Sequence, residues 1–396
     1  MSSALDPSFY KIARRPSASP ARGDRSATAT TAVRVEIRAL DGMQKEAIVT
    51  PLEPGGGAWR MVSDEGPYLN GTDLAPFPLA FFTAGQQLCL MSELLRLAVA
   101  RDVELHALAV GHDNRYTMSG SMLRGDMTGG ALPAETVVAL TADASVREVA
   151  RLVRDAASAS PGQAVMRDVL ANRFSLTCNG RDVAVEGVCQ SAARAADPTD
   201  HLAALAPADP GSYRSGIMTK SHAVEATHGV AGGVGSSLKP EQDRTLHVRG
   251  DARRLGRTLL ETTIQLFQPL GSSFTLLSDL PVSSGGGDAA PPPLAYLAAG
   301  VGFCFMTQLG RYAHIMQETY RGVRICQDSR FRWSGDRATA DPIDTHVFLE
   351  TPEGEPAARR LVTMGEQTCF LHAAMRAARP STVRLELNGS PVALEG

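Results

Sequence analysis

Six cysteines, Cys89, Cys178, Cys189, Cys304, Cys326 and Cys369, are the residues of this 396-residue chain whose types and spacing suit chemistry best. They are too sparse for a disulfide scaffold and lack the CxxC spacing of zinc sites, so each is judged as an individual thiol. A thiol is a nucleophile only as thiolate, and its pKa falls beside a helix N-terminus or a cation. Cys369 opens the helical pattern EQTCFLHAAMR, where unpaired backbone N–H groups favour negative charge on sulfur, and is the better placed thiol. Cys304 lies inside an apolar helix, where desolvation opposes ionisation unless a cation is near. Candidate cations are Arg330, whose counterpart is Arg115, and Arg253, Arg254 or Arg257. Glu366 and His372 stand three residues either side of Cys369 and on one helix would reach its face, giving a Glu–Cys–His set able to supply base and nucleophile. The bland readings are that a cysteine on an apolar helix is a small core residue and that His372 is a surface or interface residue, its counterpart being Gln163. Cys89 is either a second active site or a relic, and Cys178, Cys189 and Cys326 are structural.

The elements that must position these thiols come from an internal repeat. SDEGPYLNGTDLAPFPLAFFTAGQQLCLMSELLRL, from Ser63, lies without a gap over SDLPVSSGGGDAAPPPLAYLAAGVGFCFMTQLGRY, from Ser278, at a constant offset of 215 residues. Asp64, Gly71, Asp73, Pro76, Pro78, Leu79, Gly85, Cys89, Met91, Leu94 and Arg96 meet their own residue types. The offset carries on to Asp113, Arg115, Ser119 and Gly120 against Asp328, Arg330, Ser334 and Gly335, then becomes 209 after a six-residue deletion, where QAVMR meets HAAMR. Agreement of this length predicts one α+β fold used twice. Each unit reads as strands, a Gly/Asp/Pro turn, a helix opened by Pro78 or Pro293 and apolar nearly all round, two strands, a second helix and a last strand. The expected boundaries are a flexible tail over 1–32, a first domain over 33–190, a Pro/Gly/Ala-rich linker over 191–244 and a second domain over 245–396.

The segment S-D-(E)-P, then G-G-x-D-x-x-P-x-P-L, then a small-residue helix carrying Cys and a second Cys opening a later helix, resembles the OsmC superfamily of osmotically induced and organic hydroperoxide resistance proteins. The resemblance covers roughly residues 33 to 185 and 245 to 394. It implies two tandem OsmC-like domains folded as an intramolecular pseudo-dimer around buried central helices, with each active site at the interface. It also implies reduction of organic hydroperoxides by a peroxidatic cysteine, Cys304 or Cys89, and a resolving cysteine, Cys369, whose place in the first copy is taken by Ser160. The chain departs from the family at the residue after the helix-opening Pro: the peroxidases have Glu there, which helps an Arg organise the thiolate, and both copies have Leu, at Leu79 and Leu294.

The formal charge of -3 gives no basic excess for nucleic acid, and no run approaches a membrane span or a signal sequence, so a cytoplasmic protein is expected. His222 and His228 have no strong metal spacing, and the Gly229–Gly235 run lacks the context of a nucleotide loop and reads as linker rather than lid. No cofactor or metal is called for beyond an external, dithiol-type reductant. The partners expected are a small-molecule substrate and a second pseudo-dimer. The reading is therefore a cysteine-dependent reductase of hydroperoxides or related electrophiles, with alternatives in a hydrolase or lyase using one cysteine nucleophile, or a non-catalytic binding protein.

Overall fold

In the computed structural model, residues 9–13, 28–208, 216–224 and 242–394 are described. In chain order they form β1 (Tyr10–Lys11), β2 (Thr28–Ala39), β3 (Lys45–Pro51), β4 (Trp59–Ser63), α1 (Pro78–Ala100), β5 (Leu105–Gly120), β6 (Thr128–Ala131), β7 (Glu135–Ala142), α2 (Val146–Ala159), α3 (Pro161–Arg167), β8 (Asn172–Cys178), β9 (Arg181–Val183), β10 (Cys189–Gln190), α4 (Thr199–Ala203) and β11 (Met218–His222). There follow β12 (Gln242–Arg254), β13 (Leu259–Gln268), β14 (Ser273–Asp279), α5 (Pro293–Met316), β15 (Arg321–Ser334), β16 (Arg337–Ala340), β17 (Ile343–Glu350), α6 (Gly354–Thr368), α7 (Phe370–Ala377), β18 (Thr382–Leu387) and β19 (Ser390–Val392). The result is a mixed α+β protein. From β2 to β9 and again from β12 to β19, strands and helices alternate in the same order.

Neither sheet is built from one half alone. The first runs β1-β4-β3-β2-β15-β17-β8-β10 and the second β11-β14-β13-β12-β5-β7-β18-β19. Long antiparallel seams join the halves: β2 lies along β15 from Arg38↔Arg324 to Thr28↔Ser334, and β12 along β5 from Gln242↔Gly120 to Arg253↔Ala109. Parallel pairs β17–β8 and β18–β7 close each sheet with a strand from the opposite half. Alternating burial along β5 and β13 leaves one sheet face for a core. That core is one cluster containing residues of both halves.

Between the sheets lie α1 and α5, whose backbones touch. A Cβ on Gly85 would stand 2.5 Å from the Leu297 backbone, and one on Gly300 would stand 2.6 Å from the Phe82 backbone nitrogen. The repeat offset makes Gly85 and Gly300 the same position, so each helix gives up a side chain to the other. Phe81 packs edge-on to Phe303 beside this crossing, at 5.0 Å between centroids. The helix α5 is long and apolar enough to cross a membrane, but 89% of that window is buried within the protein.

The expected tail and linker need correction within the described residues. Tyr10 and Lys11 pair with β4, and Tyr10, Ile12, Ile48, Ala58 and Leu202 form a second small core on which Leu205 packs. In 191–244, α4 contributes Leu202, β11 pairs with β14, and β12 already begins at Gln242. A few apolar anchors among many Ser, Ala, Pro and Arg residues leave no periodic signal, yet each covers an otherwise open sheet edge or face.

Two glycines of α5 therefore have opposite expectations. Gly300→Ala should lower stability by about 1–3 kcal/mol through overpacking against Phe82, whereas Gly310→Ala, where an added Cβ meets nothing within 4 Å, should raise it by roughly 0.5–1 kcal/mol. Urea unfolding of the two variants checks the pair, and equal effects would contradict the backbone crossing.

Candidate functional site

Cys304, Thr307, Gln308 and Arg311 occupy positions i, i+3, i+4 and i+7 of α5, a single stripe of that helix. All are buried, at 2%, 4%, 2% and 5% exposure. Opposite the stripe, Cys369 is the N-cap of α7, and its sulfur lies 3.4 Å from that of Cys304, with Cys369 as donor and Cys304 as acceptor. The N–H groups of Leu371 and His372 pull the Cys369 pKa down, although no cap hydrogen bond forms. Burial outweighs them, and with the adjoining Cys304 holds Cys369 well above the usual thiol range. The expectation that Cys369 is the readier thiolate is thus corrected: its helix terminus is too deeply desolvated, and it stays a protonated donor to Cys304.

The buried cations that interact with Cys304 are not Arg330, Arg253, Arg254 or Arg257. Lys45 of β3 and Arg311 are both buried, and burial lowers both pKa values against the opposing pull of Glu65 and of Cys304. Arg244 of β12 is 5% exposed, and none of its three guanidinium nitrogens has a hydrogen-bond partner. Burial, then repulsion from Arg311, takes its pKa down to about 9 against the pull of Tyr68 and Glu65. Its guanidinium lies 6.0 Å from the Phe370 ring. Glu65 joins these groups: one carboxylate oxygen accepts from Thr307 Oγ1 at 2.9 Å and the other from the Tyr68 hydroxyl at 2.9 Å. The neighbouring Asp64 is occupied by its own loop, accepting from Thr72, Leu74 and Glu65. Arg311 also donates to Gln308 Oε1 at 3.0 Å.

Other sequence candidates are not brought to the thiols. Arg330, on β15, is exposed. Arg253 pairs with Glu261 at the surface, Arg254 donates to the Gly256 and Leu105 carbonyls, and Arg257 is exposed. Glu366 is on α6 and ion-paired with Arg376, while His372 is on α7; the extended backbone of Cys369 separates the helices, so the three residues do not share one helical face. Nor is His372 at the surface. It is fully buried beside Phe174 and Phe305, with ring centroids 5.3 and 5.1 Å away and neither nitrogen partnered. Burial drives its pKa down to about 3, so it is neutral. His222 ends β11, His228 and Gly229–Gly235 lie outside the described residues, and among the described residues no group of three His, Cys, Asp or Glu is placed to hold a metal.

The corresponding place around Cys89 lacks these groups. By the repeat offset, Lys45 corresponds to Leu260, Glu65 to Leu280, Tyr68 to Ser283, Arg244 to Ala29, Gln308 to Glu93 and Cys369 to Ser160. Strand register agrees: Lys45 faces Ser63 as Leu260 faces Ser278, and Arg244 faces Met118 as Ala29 faces Trp333. Here the carboxylate of Glu93, bonded to Arg96, sits beside the thiol. Burial first, then Glu93, pushes the Cys89 pKa up.

Residues 285–384 match the family described as OsmC-like protein. Among solved structures, an OsmC-like hydroperoxide resistance protein from Jannaschia sp. CCS1 matches at 21% identity, with a TM-score of 0.24, over 37% of this chain and 96% of its own. No curated protein matches significantly.

Two measurements follow from this geometry. Under native alkylation with peptide mapping, exposed Cys189 should react first and Cys304 next, while Cys89, Cys178 and Cys326 wait for denaturation; equal labelling of Cys89 and Cys304 would contradict the electrostatic contrast. Stability should also fall with acid. His112 is held by Thr136 and Gln86 with its pKa down to about 4, and His372 down to about 3, against 6.5 for the free side chain. Below pH 6.5 the unfolded chain takes up protons that the native chain refuses, so the two histidines remove up to about 2.7 kcal/mol per pH unit as pH falls towards 4. Urea titrations at pH 7 and 5 test this, with His372→Gln, the residue type of the first half, flattening the dependence. Residues 285–384, which span α5 and its partner strands, are thus the part of the chain similar to the OsmC-like protein family.

Proposed function

We propose that the chain reduces organic hydroperoxides through Cys304 and Cys369, and that its two halves act as a fused dimer with one working site. The observation that carries this is the pair of buried sulfurs 3.4 Å apart, one on the central helix and one capping α7, with Cys304 facing buried cations. The repeat and the crossed sheets support the fused-dimer reading. The family match over 285–384 supports the chemistry.

In this reading the Cys304 thiolate attacks the terminal peroxide oxygen. The O–O bond breaks, the alkoxide takes a proton and leaves as an alcohol, and Cys304 becomes a sulfenic acid. Cys369 then attacks that sulfur. Its thiol proton leaves with the hydroxyl as water, and a Cys304–Cys369 disulfide forms. A sulfur–sulfur bond needs about 2.05 Å, so a short approach of the α7 N-terminus suffices. An external dithiol restores both thiols by exchange, which suits a reducing compartment such as the cytoplasm. A hydrolase with one cysteine nucleophile would need a base at the sulfur, and the buried, unpartnered nitrogens of His372 among phenylalanines do not support that role.

Intact-mass spectrometry after one equivalent of cumene hydroperoxide tests the proposal. Wild type should lose two hydrogens once per chain, Cys369→Ser should accumulate sulfenic or higher oxides, and Cys304→Ser should not react, while Cys89→Ser should behave as wild type. Failure of wild type to react would retire the peroxidase reading.

A further inference from the structure

We infer that Glu65, a residue of the first half, is the positioning carboxylate for the thiol of the second half. This rests on the reading of Cys304 as the reacting thiol. Glu65 is 4% exposed and spends both oxygens on site groups: Thr307, one turn beyond Cys304 on α5, and Tyr68. Its charge is felt by Lys45, Arg244 and Arg311 together. All three cations are desolvated, and Arg311 repels Arg244. Without an anion at Glu65, desolvation and mutual repulsion would drive them to deprotonate or turn towards solvent. Asp64 also attracts Lys45, but its oxygens are held by the 64–74 loop and make no hydrogen bond to α5. The residues that open α1 and α5 after the helix-starting prolines, Leu79 and Leu294, carry no charge for the task. At the Cys89 place the corresponding residue is Leu280, the cations corresponding to Lys45 and Arg244 are absent, and the neighbouring arginine pairs with Glu93 instead. Glu65, Lys45 and Arg244 are thus present together at one place and absent together at the other.

If Glu65 acted only through its own field, removing its negative charge would make Cys304 ionise more readily. If it holds the cations in place, removing it makes Cys304 ionise less readily. The test is the pH profile of Cys304 alkylation by iodoacetamide, followed by peptide mapping in a Cys369→Ser background, with no peroxide present. Glu65→Gln should move the apparent pKa of Cys304 upward, with labelling near neutral pH falling about tenfold, since one pKa unit is one decade in thiolate. Glu65→Asp should recover part of the loss. Thr307→Val, which removes one anchor and leaves the charge, should shift the profile the same way and serves should Glu65→Gln fail to fold. A downward shift in Glu65→Gln, an unchanged profile in both variants, or a parent Cys304 that does not titrate below pH 10 would each overturn the inference. A peroxide-inert wild type with the upward shift intact would retire the peroxidase reading and leave the role of Glu65 standing.

Discussion

The close crossing of α1 and α5 governs the molecule. Gly85 and Gly300 bring two apolar helices together backbone to backbone, where a single added carbon would collide with Leu297 or Phe82. Helices this close form one ridge between two sheets, α1 packing on β5, β12 and β13 of the second sheet and α5 on β2, β3 and β15 of the first, so each helix is covered by strands of both halves. The strand orders follow: β2, β3 and β4 complete a sheet with β15 and β17, and β12, β13 and β14 complete one with β5 and β7. The crossing also explains why a site on α5 is walled in part by the other half. Lys45, Glu65 and Tyr68 arrive on or just beyond β3 and β4 of the first half, and Arg244 arrives on β12 against Met118 of β5.

A buried thiol is inert by default, because desolvation favours its protonated form. Cys89, Cys326 and Cys369 obey this rule; the Cys326 pKa is pushed up to about 12 by burial. Cys304 differs in its company of Lys45 and Arg311, and in accepting rather than donating across the thiol pair. Cations buried so deeply are themselves unstable, and Glu65 is the group among them with hydrogen bonds that fix it to α5. Carboxylate and Lys45 come from one half, and Arg244, Arg311 and the sulfur from the other.

The two halves share an apolar frame but differ in the polar groups around their central-helix cysteines. The apolar frame is kept in both halves, including the glycine crossing, the helix-opening prolines and the buried stripes, because each half packs against the other and neither can change it alone. The polar groups are not under that constraint. At the corresponding positions around Cys89 stand Leu260, Leu280, Ser283, Ala29 and Ser160, none of which carries a charge.

By itself the sequence determined the repeat, the α+β character, the apolar helices behind Pro78 and Pro293, and the two thiols worth pairing, since each of these is a pattern along the chain. It also held a signal left unread: Thr307, Gln308 and Arg311 follow Cys304 at helical spacing. The tertiary structure alone decided the rest. Glu65 meets Thr307 across 242 residues of chain, and Arg244 sits in a stretch whose composition reads as linker. His372 was placed by spacing on the Cys369 face, but an extended residue at the helix start turned it among phenylalanines. Periodicity reports which face of an element is buried. It does not report which distant element covers that face, and the charge at a buried sulfur is set by whatever covers it.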